Sequence, residues 1–366
     1  MFSFFKENRE IQKLISTSYQ VIFYAESAYY FQYYQFIFDE LRSKGVKIAY
    51  ITSDKNDPVF EKQDELTSII YSKSTLAFAL GKLKADVVIM TMPGLDQYIY
   101  KRSASVKKYI YVFHALVSTH QQYPAHSFDA FDAIFLTGPQ QESEIRETEM
   151  IYGLPEKELI PFGYPLLEEL HERRSAAAFH EKQILIAPSW YEEGIFQSCI
   201  HEIINHLAET DYQVLIRPHP EYIKRNKKSF EALQASSRKY SNIRLDTSPS
   251  LWASLVSSAF LITDRSGIAF EFAFVNSRPV IFIDTPLKIR NQESNLLKIL
   301  PVENSLRHEM GICLSPSSID SLDSALDDVR NNLSLFQERI NVVKHEVVFP
   351  SSFHQKGIDY ILQQLQ

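Results

Sequence analysis

The sequence predicts an α/β protein of two Rossmann-like domains facing each other across a cleft, on three observations. Short apolar runs rich in Val, Ile, Phe and Tyr recur along the 366 residues, separated by stretches with helical patterning. The runs are apolar on both faces instead of alternating, as strands are when a parallel sheet is covered by helices on both sides. The rhythm also passes through twice, on either side of a segment punctuated by Pro161, Gly163 and Pro165. At this length two domains are comfortable and one would be large.

In the first pass, strands are expected at 20–27, 46–53, 68–72, 86–92, 108–115 and 133–138. Between the first two, residues 28–45 read as a helix stopped by Gly45. The second pass places strands at 183–189, 212–218, 242–247, 260–264 and 279–284, with a domain boundary near 165–182. From about Ser317 the pattern is helical, with a break at VVFPSS. The expected organisation is a first domain over 1–170, a second over 178–335, and closing helices over 336–366. Ligands in such folds bind beyond the carboxyl ends of the strands, here the cleft between domains.

Composition excludes several classes. With 38 Lys and Arg against 45 Asp and Glu, the net charge of −7 argues against a dedicated nucleic-acid binder. Cys199 and Cys313 make neither a disulfide framework nor a zinc spacing, which suits a reducing compartment. No apolar stretch approaches the roughly 20 residues that span a bilayer, and the N-terminus lacks the pattern of a signal peptide. Its first helix is expected to pack on its own domain, though an interfacial helix would look similar. A cytoplasmic location follows, with peripheral association at the inner face of a membrane left open.

Four clusters at strand ends carry the chemistry. His114 leaves an apolar strand into the cleft, where a neutral imidazole can take a proton from a hydroxyl nucleophile; a satisfied structural histidine would read the same way. His120 and His126 follow at intervals of six, without a cysteine or carboxylate, which is a poor zinc pattern. In VLIRPHPEY, Arg217 and His219 leave a strand together and Pro218 and Pro220 stiffen the exit. Arginine offers a planar fork to phosphate oxygens and histidine a second donor. The alternative is an arginine paired with a nearby carboxylate. In AFLITDRSGIAFEFAF, a strand turns at Asp264–Gly267 into an apolar helix, with Ser266 near its N-cap and Gly267 permitting close approach. Free N–H groups there suit phosphate, and Glu271 one turn on suits ribose hydroxyls; ordinary helix capping by Asp264 or Ser266 is the competing explanation. In ILIAPSWYEEG, Ser189 and Trp190 sit where a nucleoside is contacted or where domains pack. No GxGxxG, P-loop or DxD motif is present, so neither a dinucleotide cofactor nor a metal is expected.

Taken in order, FHA, GYP, APSW, RPHP and TDRSGIAFEF resemble the CDP-glycerol glycerophosphotransferase family of teichoic-acid and capsule synthesis. The resemblance covers roughly 108–285, and RPHP with TDRSGIAFEF is its specific part. It implies a GT-B-type fold and His114 as the base that activates the acceptor. It also implies Arg217, His219, Arg265, Ser266 and Gly267 on the donor phosphates, with His219 sharing in catalysis by neutralising the leaving group. Ser189, Trp190 and Glu271 would face the nucleoside. The implied reaction moves glycerol phosphate, or a related alditol phosphate, from a CDP-linked donor to a hydroxyl of a polysaccharide, polyol-phosphate or lipid-linked acceptor, without metal. The sequence departs from the family pattern at Ala115, Arg265, Gly267 and Glu271, which stand where glycine, tyrosine, serine and aspartate are usual, and a lysine usual after His114 is missing from HALVSTHQQY. A sugar transferase of GT-B type, a nucleotide-sugar epimerase of similar fold and a non-catalytic nucleotide-binding subunit of a surface-polysaccharide complex are the alternatives.

Overall fold

The computed structural model describes residues 2–248 and 250–365. The first sheet contains β1 (Tyr19–Ala25), β2 (Ile48–Thr52), β3 (Thr67–Tyr71), β4 (Ala85–Met90), β5 (Val106–Val112), β6 (Ala133–Leu136) and β7 (Glu158–Pro161). The second contains β8 (His180–Ile186), β9 (Gln213–Ile216), β10 (Ile243–Leu245), β11 (Ser258–Thr263), β12 (Val280–Ile283) and β13 (Gly311–Leu314). Their orders are β3-β2-β1-β4-β5-β6-β7 and β10-β9-β8-β11-β12-β13, and the strands pair in parallel throughout. Central strands such as β2, β6, β11 and β12 are buried along their whole length, which is why each reads as an unbroken apolar run. The edge strands β7 and β13 escape sequence reading. Each has only four residues, mostly half-buried, so neither presents such a run.

Both sheets reverse strand order, at β1/β4 and at β8/β11, and these switch points open the crevices where doubly wound folds take ligands. Register sets the second crevice. Ile262 pairs with Ile186, and beyond them Ala187 N–H donates to the Ile262 carbonyl while the Thr263 hydroxyl donates to that of Ala187. The exits of β8 and β11 therefore run side by side.

The helix Phe2–Ser16 sends Ile11 and Leu14 into the first core. Buried Glu7 accepts hydrogen bonds from the Lys73 and Thr75 backbone and the Ser74 and Thr75 hydroxyls, fixing the loop after β3. The helix Leu166–Ala176 buries Leu166, Leu167 and Leu170 in the second core. The chain thus leaves the first domain at Gly163, slightly ahead of the expected 165–182. It crosses back near the end. The helix Leu333–Val347 packs on the second core, Phe349 N–H donates to the Thr137 carbonyl, and the helix His354–Gln364 buries Ile358, Tyr360 and Ile361 on the first sheet. The two crossings touch: a side chain at Gly163 (φ +88°) would start 2.8 Å from the Phe349 carbonyl oxygen.

His354 sits between Phe36 and Phe162, and burial pushes its pKa down to about 4. An unfolded histidine titrates near 6.5, so between there and about pH 4 the unfolded chain holds the extra proton. Stability contributed by the neutral ring is complete above that window and is lost as pH falls through it. His354→Leu is expected to flatten this part of the melting-temperature profile; an unchanged slope would mean that the folded ring is already protonated.

Candidate active site

Between the carboxyl ends of the two sheets lies a cavity of about 450 Å³, lined by both domains. His114, Tyr30, Tyr33 and Tyr123 come from the first domain; Ser189, Trp190, His219, Arg265, Ser266, Gly267, Glu271, Lys288 and Arg290 come from the second. A continuation of about 320 Å³ is walled by Arg217, His219, Ser266 and Tyr29. Eight of the nine residues nominated from sequence line the larger space, and Arg217 borders the smaller.

Asp264 organises the second-domain wall. It is buried, and its Oδ1 accepts from the Ser189 N–H at 2.8 Å and the Ser189 hydroxyl at 2.9 Å, while Oδ2 takes the Ile195 N–H at 3.4 Å. Burial raises its pKa and the Ser189 bonds oppose that shift. The carboxylate thus ties the β8 exit to the β11 exit and commits the Ser189 hydroxyl, so Ser189 shapes the wall. Replacing Asp264 with Leu would strand two buried N–H groups and a hydroxyl, at about 3 kcal/mol or more. Urea denaturation should register that loss, with Asn retaining most of the stability; a Leu variant as stable as wild type would contradict the tie.

With Asp264 turned away, neither it nor Ser266 caps the helix Ile268–Asn276. The N-cap is Gly267, with no side-chain cap bond. Among the described residues, the Ser266, Gly267 and Ile268 N–H groups and the Ser266 hydroxyl find no acceptor. The competing explanation of plain capping therefore fails, and the turn presents unsatisfied donors at a helix N-terminus, where anions bind. Gly267 also faces the first domain closely: a Cβ there would lie 2.8 Å from Val117 Cγ1.

Glu271 lies one turn deeper and is buried. Its Oε1 accepts from the Tyr164 hydroxyl at 3.1 Å, Oε2 has no partner, and burial pushes its pKa up to about 7.

The two arginines are held by the protein's own acceptors. Arg217 donates from Nη1 to Asp246 (2.9 Å) and the Ser248 hydroxyl (3.1 Å) and from Nη2 to the Ser248 carbonyl (2.8 Å). Arg265 donates to the Thr285 carbonyl, Asn304 and Asp284. These bonds brace the loops of the wall and fix both guanidiniums at its edge, Arg217 on the smaller space and Arg265 on the larger. The carboxylate partners are distant in sequence, which is why the local motifs did not reveal them.

His219 Nδ1 accepts the Glu221 N–H at 3.1 Å, which leaves Nε2 as the protonated donor. Burial in the cleft, followed by Lys288 and Arg290, pushes its pKa down to about 4, so the ring is a neutral donor instead of the expected cation. It lies against Trp190, ring centroids 6.0 Å apart, and Arg225 and Arg290 lie over the same indole at 5.0 and 5.6 Å.

Across the cleft His114 follows β5 by two residues, packed edge-on to Tyr30 (5.4 Å), Tyr33 and Tyr123. Burial lowers its pKa to about 4, partly offset by the Thr91 backbone, with Arg290 adding to the lowering. The ring is neutral at physiological pH. The other two histidines lie outside this cavity: His120 is buried beside Glu144, and His126 pairs with Asp129 at 2.8 Å. Among the described residues, no three His, Cys, Asp or Glu side chains converge as metal ligands, and no helix is long and apolar enough to cross a membrane.

Sequence reading missed Lys288, Arg290 and the tyrosines after β1. They stand four to eight residues beyond β12 and β1, past the immediate strand exits that marked Arg217 and His219.

Two facing parallel-sheet domains, with an anion-receptive helix end opposite a neutral histidine, make an anion-binding cleft in a GT-B-type fold. A family model for CDP-glycerol:poly(glycerophosphate) glycerophosphotransferases matches residues 10–294, and the chain belongs to that family of transferases. Its fold is similar to that of the wall teichoic acid polymerase TagF, with a TM-score of 0.62 at 15% identity over 100% of this chain and 95% of that one. A UDP-GlcNAc 2-epimerase from Neisseria meningitidis bound to UDP-GlcNAc gives 0.60 at 13% identity, over 94% and 100%. A glycosyltransferase from Rickettsia africae ESF-5 gives 0.56 at 11%, over 96% and 99%. No match is found among curated protein sequences.

Proposed function

We propose that this chain transfers glycerol phosphate, or a closely related alditol phosphate, from a CDP-linked donor to an acceptor hydroxyl. One observation carries the reading: a neutral His114 and the unsatisfied donors at Ser266–Ile268 share a single cavity from opposite domains. CDPG is the compound soaked into a TagF variant of the same fold, at 15% identity and a TM-score of 0.59.

The acceptor oxygen attacks the β-phosphorus of the donor while His114 takes its proton. The bond from that phosphorus to the oxygen bridging toward the α-phosphate breaks, and CMP leaves with the electron pair. Charge on the leaving phosphate meets the N–H groups and hydroxyl at Ser266–Ile268 and the Nε2–H of His219. Trp190 and the unpartnered Glu271 Oε2 take the nucleoside, a carboxylate being a good acceptor for ribose hydroxyls. Arg217, Arg265 and Ser189 hold the walls that carry these groups. The acceptor is a saccharide or polyol-phosphate hydroxyl, on a lipid-linked carrier in the fullest version of the proposal, with the enzyme at the inner face of a membrane.

Mixing CDP-glycerol with an acceptor panel should release CMP and give a new phosphodiester by phosphorus NMR, at a rate indifferent to a chelator. Release of UDP or GDP from a nucleotide sugar, with CDP-glycerol inert, would make the chain a sugar transferase. Tight nucleotide binding without turnover of any donor would make it a binding subunit.

A further inference from the structure

The cleft holds two cations that no motif nominated. Lys288 and Arg290 stand on the segment that follows β12, and both line the cavity between His114 and His219. Among the described residues, the Lys288 ammonium has no hydrogen-bond or ion-pair partner, and the Arg290 guanidinium touches only the face of Trp190, at 5.6 Å. This contrasts with Arg217 and Arg265, which carboxylates and carbonyls of the protein hold. The contrast is sharper in a chain of net charge −7, where carboxylates are plentiful. The carboxylates that act electrostatically on Lys288 are engaged elsewhere: Asp264 by Ser189 and Ile195, and Glu303 by the Ser118 N–H and hydroxyl.

The segment is held from the opposite domain. Arg290 N–H donates to the Gln121 carbonyl at 3.0 Å, Gln122 Nε2 to the Lys288 carbonyl at 3.2 Å, and Asn291 Nδ2 to the His120 carbonyl at 2.9 Å. The residues gripped lie six to eight positions after His114, so the loop bearing the imidazole also fixes the two cations. Arg290 acts electrostatically on His114, His219, Tyr30 and Tyr123, which surround the middle of the cavity. Two like charges in a half-buried cleft repel each other, and burial with Arg290 brings the Lys288 pKa down to about 8. A polyanion between them removes that strain.

We infer that Lys288 and Arg290 clamp the phosphate being transferred, the distal group of a diphosphate whose proximal group rests on the Ser266–Ile268 turn. This rests on the transferase reading above. The clamp is complete only when the first domain holds the segment. Binding the distal phosphate and closing the cleft therefore favour each other.

Calorimetry on the full chain tests the clamp with three probes: inorganic pyrophosphate, CDP and CMP. Arg290→Gln with Lys288→Gln should cut affinity for pyrophosphate and CDP by about ten- to hundredfold and leave CMP nearly unchanged. Arg290→Lys should recover part of the loss, and melting temperatures should match wild type. Equal pyrophosphate affinity in wild type and the double variant, or equal losses for CDP and CMP, would overturn the clamp. Pyrophosphate binding that depends on both residues, with CDP ignored by wild type, would leave the clamp standing and sink the cytidine reading. Wild type that binds neither pyrophosphate nor CDP would overturn both.

Discussion

His114→Asn should lower turnover by about 10²–10⁴, the range for removing a general base, and leave donor affinity nearly intact. The asymmetry follows from placement. His114 belongs to the first-domain wall among tyrosines, whereas the groups assigned to the donor stand on the second. The pH profile makes the test sharper. A base works only when neutral, and burial lowers the pKa of His114 to about 4. At saturating donor, where Glu271 and Lys288 act on affinity, kcat should therefore be level through the neutral range and fall as pH drops through about 4. That limb should be absent from the residual activity of the Asn variant. A wild-type kcat limb near 6.5 that persists in a Glu271→Gln variant would mean that another histidine governs the rate. Equal losses of affinity and turnover would make His114 a donor ligand instead.

Gly267→Ala should cost about a hundredfold in kcat, on the scale of misplacing reacting groups by an ångström. The added methyl would sit 2.8 Å from Val117 Cγ1, a buried side chain three residues past His114. Its backbone is ordinary (φ −60°, ψ −22°), so alanine fits the helix and conflicts only with the facing domain. Cutting the opposing side chain back with Val117→Ala should restore most of the rate. Full activity in the single variant would show that the domains need not approach this closely, and failure of the double variant to recover would place the defect in the turn itself.

The α/β class and the central strands were legible because parallel sheets bury both strand faces, leaving runs such as SAFLIT and VIFI that a single window detects. The strand-end rule then placed His114, His219 and Ser266 in one cleft before any contact was known. The rule reports position and not partners, so it was silent on what holds the arginines. Asp246, Ser248, Asp284 and Thr285 hold Arg217 and Arg265 from 19 to 31 residues away. Lys288 and Arg290 were passed over for the converse reason, since an unpartnered cation looks like any other in sequence. The tie from Asp264 to Ser189 spans 75 residues and depends on β8 and β11 being neighbours in the sheet, a pairing that local pattern does not encode.

The return of the chain to its first domain bears on biosynthesis. Phe135 and Phe162 belong to an apolar layer completed by Ile358, Tyr360 and Ile361, and Gly357 comes so close that a side chain there would start 2.4 Å from the Phe162 ring. The first sheet is therefore made early and covered late. While the second domain is synthesised and folds, the nascent chain carries an uncovered hydrophobic face, contrary to the usual order in which an N-terminal domain closes first. That face makes the growing polypeptide a natural client for chaperones that hold apolar surface, and it ties the folding yield of the first domain to a helix translated after the whole second domain.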